Sequence, residues 1–268
     1  MYRNVYRSLR RCGLTRTKAV AAAFSPTYRR HLKSCHALLL PSDLPPLGTV
    51  IDVGANRGNW AEAARAVLPL SSLHLVEPTP ELAAGLVEAF GGDDRVTVHA
   101  MAVSDTIGTA ELSLYNLPVF NSLQRLTDEA QSLNSQVHET RRVTVPTITL
   151  DALFPPERHP EIGLLKLDIQ GGEDKALDGA SDLMQRVKFL VIEVNFVPHY
   201  EAEAGFTALY DRLTRELGFR LYTLGNIHRE QNHGATWCDA VFTAAGVPCS
   251  EEPVCGLGDG GQAILTDG

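Results

Sequence analysis

The sequence predicts an α/β fold on a mostly parallel sheet, and three observations predict it. A β-branched run, Val50, Ile51 and Val53, carries one acid, Asp52, breaks at Gly54 and gives way after Gly58 to an alanine-rich helical pattern. Strand, glycine turn and helix open an α/β nucleotide-binding unit. Strand and helix patterns then alternate down much of the chain, as in a parallel sheet flanked by helices. The last two strand patterns, Phe219 to Leu224 and Trp237 to Thr243, are separated by a short loop and no helix, so they pair antiparallel.

Taken in order, the first 36 residues hold nine basic side chains, and no acid occurs before Asp43. The remaining chain has 15 basic against 32 acidic side chains. An acidic body does not suggest a nucleic-acid binder. Residues 1–46 are expected to form a basic, helical or loosely ordered arm packing on that body, with contact to an anionic surface or an Arg-rich, acid-poor organellar transit peptide as the alternatives. The apolar run Ala19 to Phe24 is too short for a secretory signal, and no stretch of about 18 apolar residues predicts a transmembrane helix. Cys12, Cys35, Cys238, Cys249 and Cys255 form no Cys-x-x-Cys pair, which favours reduced thiols and a cytoplasmic location. Residues 47–246 form the main domain, and the Gly- and acid-rich tail over 247–268 is expected to be disordered.

Within the main domain the first strand covers about 48–53 and a helix about 59–68, with Trp60, Ala64 and Val67 toward the sheet. Leu73 to Glu77 is a second strand ending on an acid; Thr79 is the N-cap and Pro80 the first residue of a helix that faces inward with Leu82, Leu86 and Phe90. A third strand is expected over Arg95 to Val103. Strands at Ala110 to Tyr115 and Val143 to Leu150 then flank a polar insertion at 121–140. Ile162 to Ile169 is the fourth core strand, followed by one helix over 173–186. Phe189 to Val194 is the fifth strand, and the helix Phe206 to Leu217 stops at Gly218.

The chemistry-bearing residues gather at strand ends. A dinucleotide loop needs a glycine where the pyrophosphate meets the backbone; that position is Asn56 in Gly54-Ala55-Asn56-Arg57-Gly58. The loop suits a ligand without phosphate, such as S-adenosylmethionine, with Asp52 beside its amino group and a helix N-terminus near its carboxylate. Glu77, 25 residues after Asp52, is placed to accept both ribose hydroxyl hydrogens. Asp168 ends the fourth strand and is expected to face the reacting centre. Asp168 or Glu173 is the candidate base or orienting group, with helix capping as the structural alternative for each. Lys166 is the candidate for holding an acidic group or stabilising a developing alkoxide. Glu193 and Asn195 share that rim, with His199, His228 and His233 in the following loops. Asp168, Glu193, His199 and Asp239 show no local ligand spacing, and no metal is expected. His74 and His99 read as packing residues.

The chain resembles the FkbM-type S-adenosylmethionine-dependent methyltransferases. The resemblance rests on Ile51-Asp52-Val53-Gly54-Ala55-Asn56-Arg57-Gly58, Val76-Glu77-Pro78, Ala102-Val103-Ser104-Asp105, Thr149-Leu150-Asp151 and Leu165 to Glu173 with Leu177 and Gly179-Ala180. It implies a class I methyltransferase fold: a seven-stranded, Rossmann-like mixed sheet with an antiparallel last strand, flanked by helices. It also implies O-methylation of a saccharide or natural-product hydroxyl. Asp52, Gly54, Asn56, Gly58 and Glu77 would hold the donor, with Ser104 and Asp105 near the adenine and Asn121 and Ser122 as contacts on resemblance alone. Many relatives carry Glu where Gln170 stands. Partners would be small-molecule acceptors, without nucleic acid; a homo-oligomer is compatible. The alternatives are a nicotinamide-dependent oxidoreductase and a non-catalytic binding module. NAD against S-adenosylhomocysteine binding separates the first, and a donor site lacking an acceptor pocket would favour the second.

Overall fold

The computed structural model describes residues 40, 44–230 and 234–247. The expectations for the body of the basic arm, for His233 and for the tail beyond Val247 lie outside the described residues. The main sheet has seven strands: β1 (Gly48–Val53), β2 (Leu70–Val76), β3 (Val96–His99), β7 (Ile162–Leu167), β8 (Val187–Asn195), β9 (Arg220–Glu230) and β10 (Gly234–Thr243). Between β3 and β7 the chain adds a three-stranded sheet of β4 (Ala102–Val103), β5 (Gly108–Tyr115) and β6 (Glu139–Ile148), in the order β4-β6-β5. The main order is β3-β2-β1-β7-β8-β10-β9, with β10 antiparallel to both of its neighbours and the other pairings parallel. This is the class I methyltransferase topology.

Each strand feeds the two apolar layers by alternation. Ile51, Val53, Leu165, Leu167, Leu190 and Ile192 pack on one face, against α5 (Glu173–Asp178), α6 (Ser181–Met184) and α7 (Phe206–Asp211). Val50, Leu73, Leu75, Leu164, Phe189, Val191 and Val241 face the other way, toward α1 (Asn59–Val67) and α2 (Pro80–Phe90). All six residues of β7 are buried, as expected of a central strand covered on both sides. A fully buried side chain such as Phe189 or Leu164 contributes about 1.5–3 kcal/mol.

Thr79 and Pro80 open α2 as expected, although the Thr79 side chain makes no capping bond, and the buried face is Ala83, Leu86 and Phe90, with Leu82 partly exposed. The expected third strand divides. The Met101 amide turns back onto the His99 carbonyl at 3.0 Å, and Ala102 and Val103 leave to pair with β6. The polar insertion contains a short helix, α3 (Asp128–Leu133), capped by the Thr127 hydroxyl accepting from the Ala130 amide at 3.1 Å. A second capped turn, α4 (Leu150–Leu153), follows β6. The single helix expected over 173–186 is α5 and α6, broken at Gly179 and Ala180, where the Ser104 carbonyl and Thr149 occupy the space a Cβ at Gly179 would need. The last turns after α7 widen into a π-helix over Arg212–Glu216 before Gly218, at φ +72°.

Candidate active site

The carboxyl ends of β1, β2, β7 and β8 open into one cavity of about 490 Å³, where ligands of open α/β sheets bind. Its floor is the loop after β1. Gly54 has φ +83°, and a Cβ there would run into the Asp168 carbonyl oxygen, so only glycine lets the turns after β1 and β7 lie together. Gly58, φ +77°, faces away from the cavity: a Cβ would meet Phe90 at 2.6 Å and Leu86 at 2.8 Å. Its role is helix packing. Asn56 adopts φ 50° and donates its amide N–H to Glu77 Oε2 at 2.8 Å.

Glu77 is buried at the end of β2 and lines the cavity. Its other oxygen accepts from the Thr79 amide at 2.8 Å. Burial pushes its carboxyl above the ordinary value, against the pull of the Thr79 and Asn56 N–H groups. Two backbone donors fix the carboxylate, and its remaining lone pairs can take hydroxyl hydrogens.

The segment Leu117–Leu123 straps across this floor. The Asn56 side chain donates to the Pro118 carbonyl at 3.2 Å, that of Asn121 to Thr79 Oγ1 at 3.2 Å, and Ser122 Oγ to the Gln170 carbonyl at 2.6 Å. Pro118, Val119, Phe120, Asn121, Ser122 and Leu123 all line the cavity.

Lys166 stands beneath the site. Its ammonium lies 3.1 Å from Asp52 Oδ1 and 3.1 Å from Asp168 Oδ2, and 5.8 Å from the Trp60 ring centroid. Burial opposes its charge, but Asp168 and Asp52 outweigh it and hold the ammonium above the usual lysine range. Asp52 is fully buried and absent from the cavity lining. It faces Lys166, where the sequence suggested a ligand amino group. Asp168 does line the cavity and also accepts from Gln170 Nε2 at 2.9 Å.

Glu173 lies behind the wall. Its carboxylate accepts from the Ile169 amide at 2.8 Å and the Gly171 amide at 3.0 Å, and burial pushes it up to about 7. Both oxygens are thus engaged by backbone amides of the turn that leads into α5. Ser104 and Asp105 are also outside the cavity lining; Met101, Ala102 and Val103 stand there instead. Ser104 Oγ donates to Asp105 Oδ1 at 2.9 Å.

On the far side Glu193, Asn195, His199, Tyr200, Trp237 and Asp239 complete the wall. Burial lowers the His199 pKa. His228 belongs to β9, which runs further than the sequence indicated, and stacks on Trp237 at 5.2 Å and 12°. Sequence reading missed the roles of Gln170 and Tyr200; the positive φ of Gln170 carried no sequence signal because it is not a glycine. Among the described residues no group of three or more His, Cys, Asp or Glu is arranged to hold a metal ion. No described helix is long and apolar enough to cross a membrane.

The donor-side residues fit an S-adenosyl ligand: a glycine-shaped floor, a fixed carboxylate at Glu77 with spare acceptor capacity, and apolar walls from Met101 to Val103.

The model of the methyltransferase FkbM domain matches residues 52–221. The 2-O-methyltransferase NoeI of Sinorhizobium fredii is 25% identical over 174 residues, 63% of this chain and 72% of that protein. A crystal structure of methyltransferase FkbM from Methylobacillus flagellatus aligns with TM-score 0.44 and 14% identity over 89% of this chain; the chain spans 57% of that solved chain. A SAM-dependent methyltransferase from Leishmania major aligns with TM-score 0.45 and 11% identity, over 90% of this chain and 82% of that one.

Proposed function

The chain belongs to the FkbM methyltransferase family, and from that premise we propose that it moves a methyl group from S-adenosylmethionine to a hydroxyl of a saccharide or other small molecule. The observation that carries the reading is the cavity floor: a glycine turn without a pyrophosphate-approach glycine, facing a carboxylate fixed at Glu77. Gly54, Asn56 and Glu77 hold the donor. Asp52 and Gly58 support that floor from behind, and Ser104 and Asp105 anchor the segment whose neighbours Met101 to Val103 flank the adenine. The O-methylation reading draws on the NoeI relative, a 2-O-methyltransferase.

When bound, the donor supplies an activated methyl on sulfur. The protein must then align a hydroxyl with that carbon and exclude water. Lys166 fixes Asp168 at the rim, and Glu173 fixes the loop that carries Gln170. The chain is expected to act in the cytoplasm.

The test is calorimetry with S-adenosylhomocysteine and NAD, followed by incubation with labelled S-adenosylmethionine and a panel of monosaccharide methyl glycosides. Binding of S-adenosylhomocysteine without NAD, and label in a glycoside, is the expected result. Binding of NAD alone would overturn the reading in favour of an oxidoreductase.

A further inference from the structure

We propose that Glu193 is the general base of the methyl transfer and that Gln170 is the positioning residue that holds its carboxylate beside Asp168. The inference rests on the donor reading above and adds what the family assignment does not give, the group that takes the acceptor's proton.

The register of the sheet brings the acids together. β7 and β8 pair in parallel through Leu167 and Ile192, so the next residues, Asp168 and Glu193, come side by side. β10 pairs antiparallel with β8 so that Asp239 stands opposite Glu193. All three share the face of Leu164, Val191 and Val241 by strand alternation, and all three line the cavity.

Their hydrogen bonds distinguish them. Asp168 is held by the Lys166 ammonium at 3.1 Å and by Gln170 Nε2 at 2.9 Å. Asp239 Oδ2 accepts from Asn226 Nδ2 at 2.7 Å. Glu173 is engaged by two backbone amides and faces away from the cavity. Glu193 receives the longer Gln170 bond, 3.3 Å to Oε1.

The Tyr200 hydroxyl donates to Gln170 Oε1 at 2.8 Å and the side-chain NH₂ donates to both carboxylates, while Ser122 Oγ holds the Gln170 backbone carbonyl at 2.6 Å.

The surroundings make Glu193 the better proton acceptor. Burial, then the charges of Asp168, Asp239 and Glu173, hold its carboxyl well above the ordinary value, against the opposing Lys166 ammonium. Tyr200 and Cys238 complete the titratable neighbours that feel its charge. A raised pKa increases the driving force for taking a proton. In the step, the acceptor oxygen forms a bond to the methyl carbon of the sulfonium donor. The carbon–sulfur bond breaks with its electron pair going to sulfur, and the hydroxyl proton passes to Glu193. One positive and one negative charge disappear together.

The test compares wild type, Glu193→Gln, Glu193→Asp, Gln170→Leu and His199→Gln. Infrared difference titration of the protein alone reads the carboxyl directly, and S-adenosylhomocysteine calorimetry reads the donor site. Wild type should show a carboxyl titrating above the usual range. Glu173 and Glu77 also titrate above that range and remain in every variant; the Glu193 component should be lost in Glu193→Gln, persist in His199→Gln and shift in Gln170→Leu. S-adenosylhomocysteine affinity should stay within about twofold throughout. On a glycoside that wild type methylates, Glu193→Gln should lose roughly 10²- to 10⁴-fold in kcat, with partial rescue in Glu193→Asp. A high-titrating carboxyl signal in Glu193→Gln undiminished from wild type, or a wild-type rate in Glu193→Gln, overturns the proposal. Loss of rate in His199→Gln with Glu193→Gln still active does so as well. Failure of wild type to bind S-adenosylhomocysteine instead overturns the donor reading, while the titration arm still reports on Glu193.

Discussion

Glu77 and Lys166 each bond to groups far away in sequence, and replacing each has a calculable effect. Charge-assisted hydrogen bonds are worth about 1.5–3 kcal/mol, so Glu77→Ala should weaken S-adenosylhomocysteine binding roughly 10- to 100-fold by calorimetry. Unchanged affinity would remove Glu77 from the ribose. Lys166→Met leaves Asp52 buried without its ammonium, and loss of one member of a buried ion pair costs about 3–5 kcal/mol. Urea denaturation should show that loss, and Asp52→Leu combined with Lys166→Met should recover part of it. The place of Glu77 at the cavity was legible because it follows a strand pattern as an acid at its end. Asp52 and Glu173 also occupy strand or helix ends, and a sequence cannot tell an acid facing a ligand from one facing a buried lysine or a neighbouring amide. The Asp52–Lys166 contact exists only once β1 and β7 pair.

Among the elements, the parallel strands were the most legible, because a buried strand such as β7 is an unbroken apolar run bounded by turn residues. The strap Leu117–Leu123 was not, since its order comes from Asn56, Thr79 and Gln170 and not from its own periodicity. Breaking one of these anchors should act on the whole segment. Asn121→Ala removes the bond to Thr79 and the 2.9 Å bond that the Tyr115 amide makes to Asn121 Oδ1. Hydrogen exchange over 117–123 should quicken, and S-adenosylhomocysteine affinity should fall by at least about fivefold, two neutral bonds being worth about 0.5–1.5 kcal/mol each. Exchange as slow as in wild type would mean that the apolar contacts of Pro118 and Phe120 hold the strap without them.

At the scale of the whole molecule, acid sensitivity is expected from the edge of the sheet. His74 on β2 and His99 on β3 stack at 5.3 Å with ring nitrogens 3.1 Å apart, and His159 and Phe154 pack edge-on against His74 at 5.1 and 5.2 Å. Burial, then His99 and His159, lowers His74 to about 4; burial lowers His99 and His159 as well. The unfolded chain therefore binds more protons below the free-histidine pKa of about 6.5. This contribution to stability is present above that pH and is lost as pH falls from there through about 4. The thermal midpoint should drop over that window, and His74→Phe should flatten the drop; an unchanged acid limb would exclude the cluster as its source. The position of β10 has a different consequence, for the order of assembly. β10 follows β9 in the chain but lies between β8 and β9 in the sheet. During synthesis β9 emerges with no neighbour to pair with, and β8 keeps an open edge, a hazard for association with other chains. Only when Gly234–Thr243 has left the ribosome can one insertion event pair both strands, so a stall just before it would yield an aggregation-prone nascent chain.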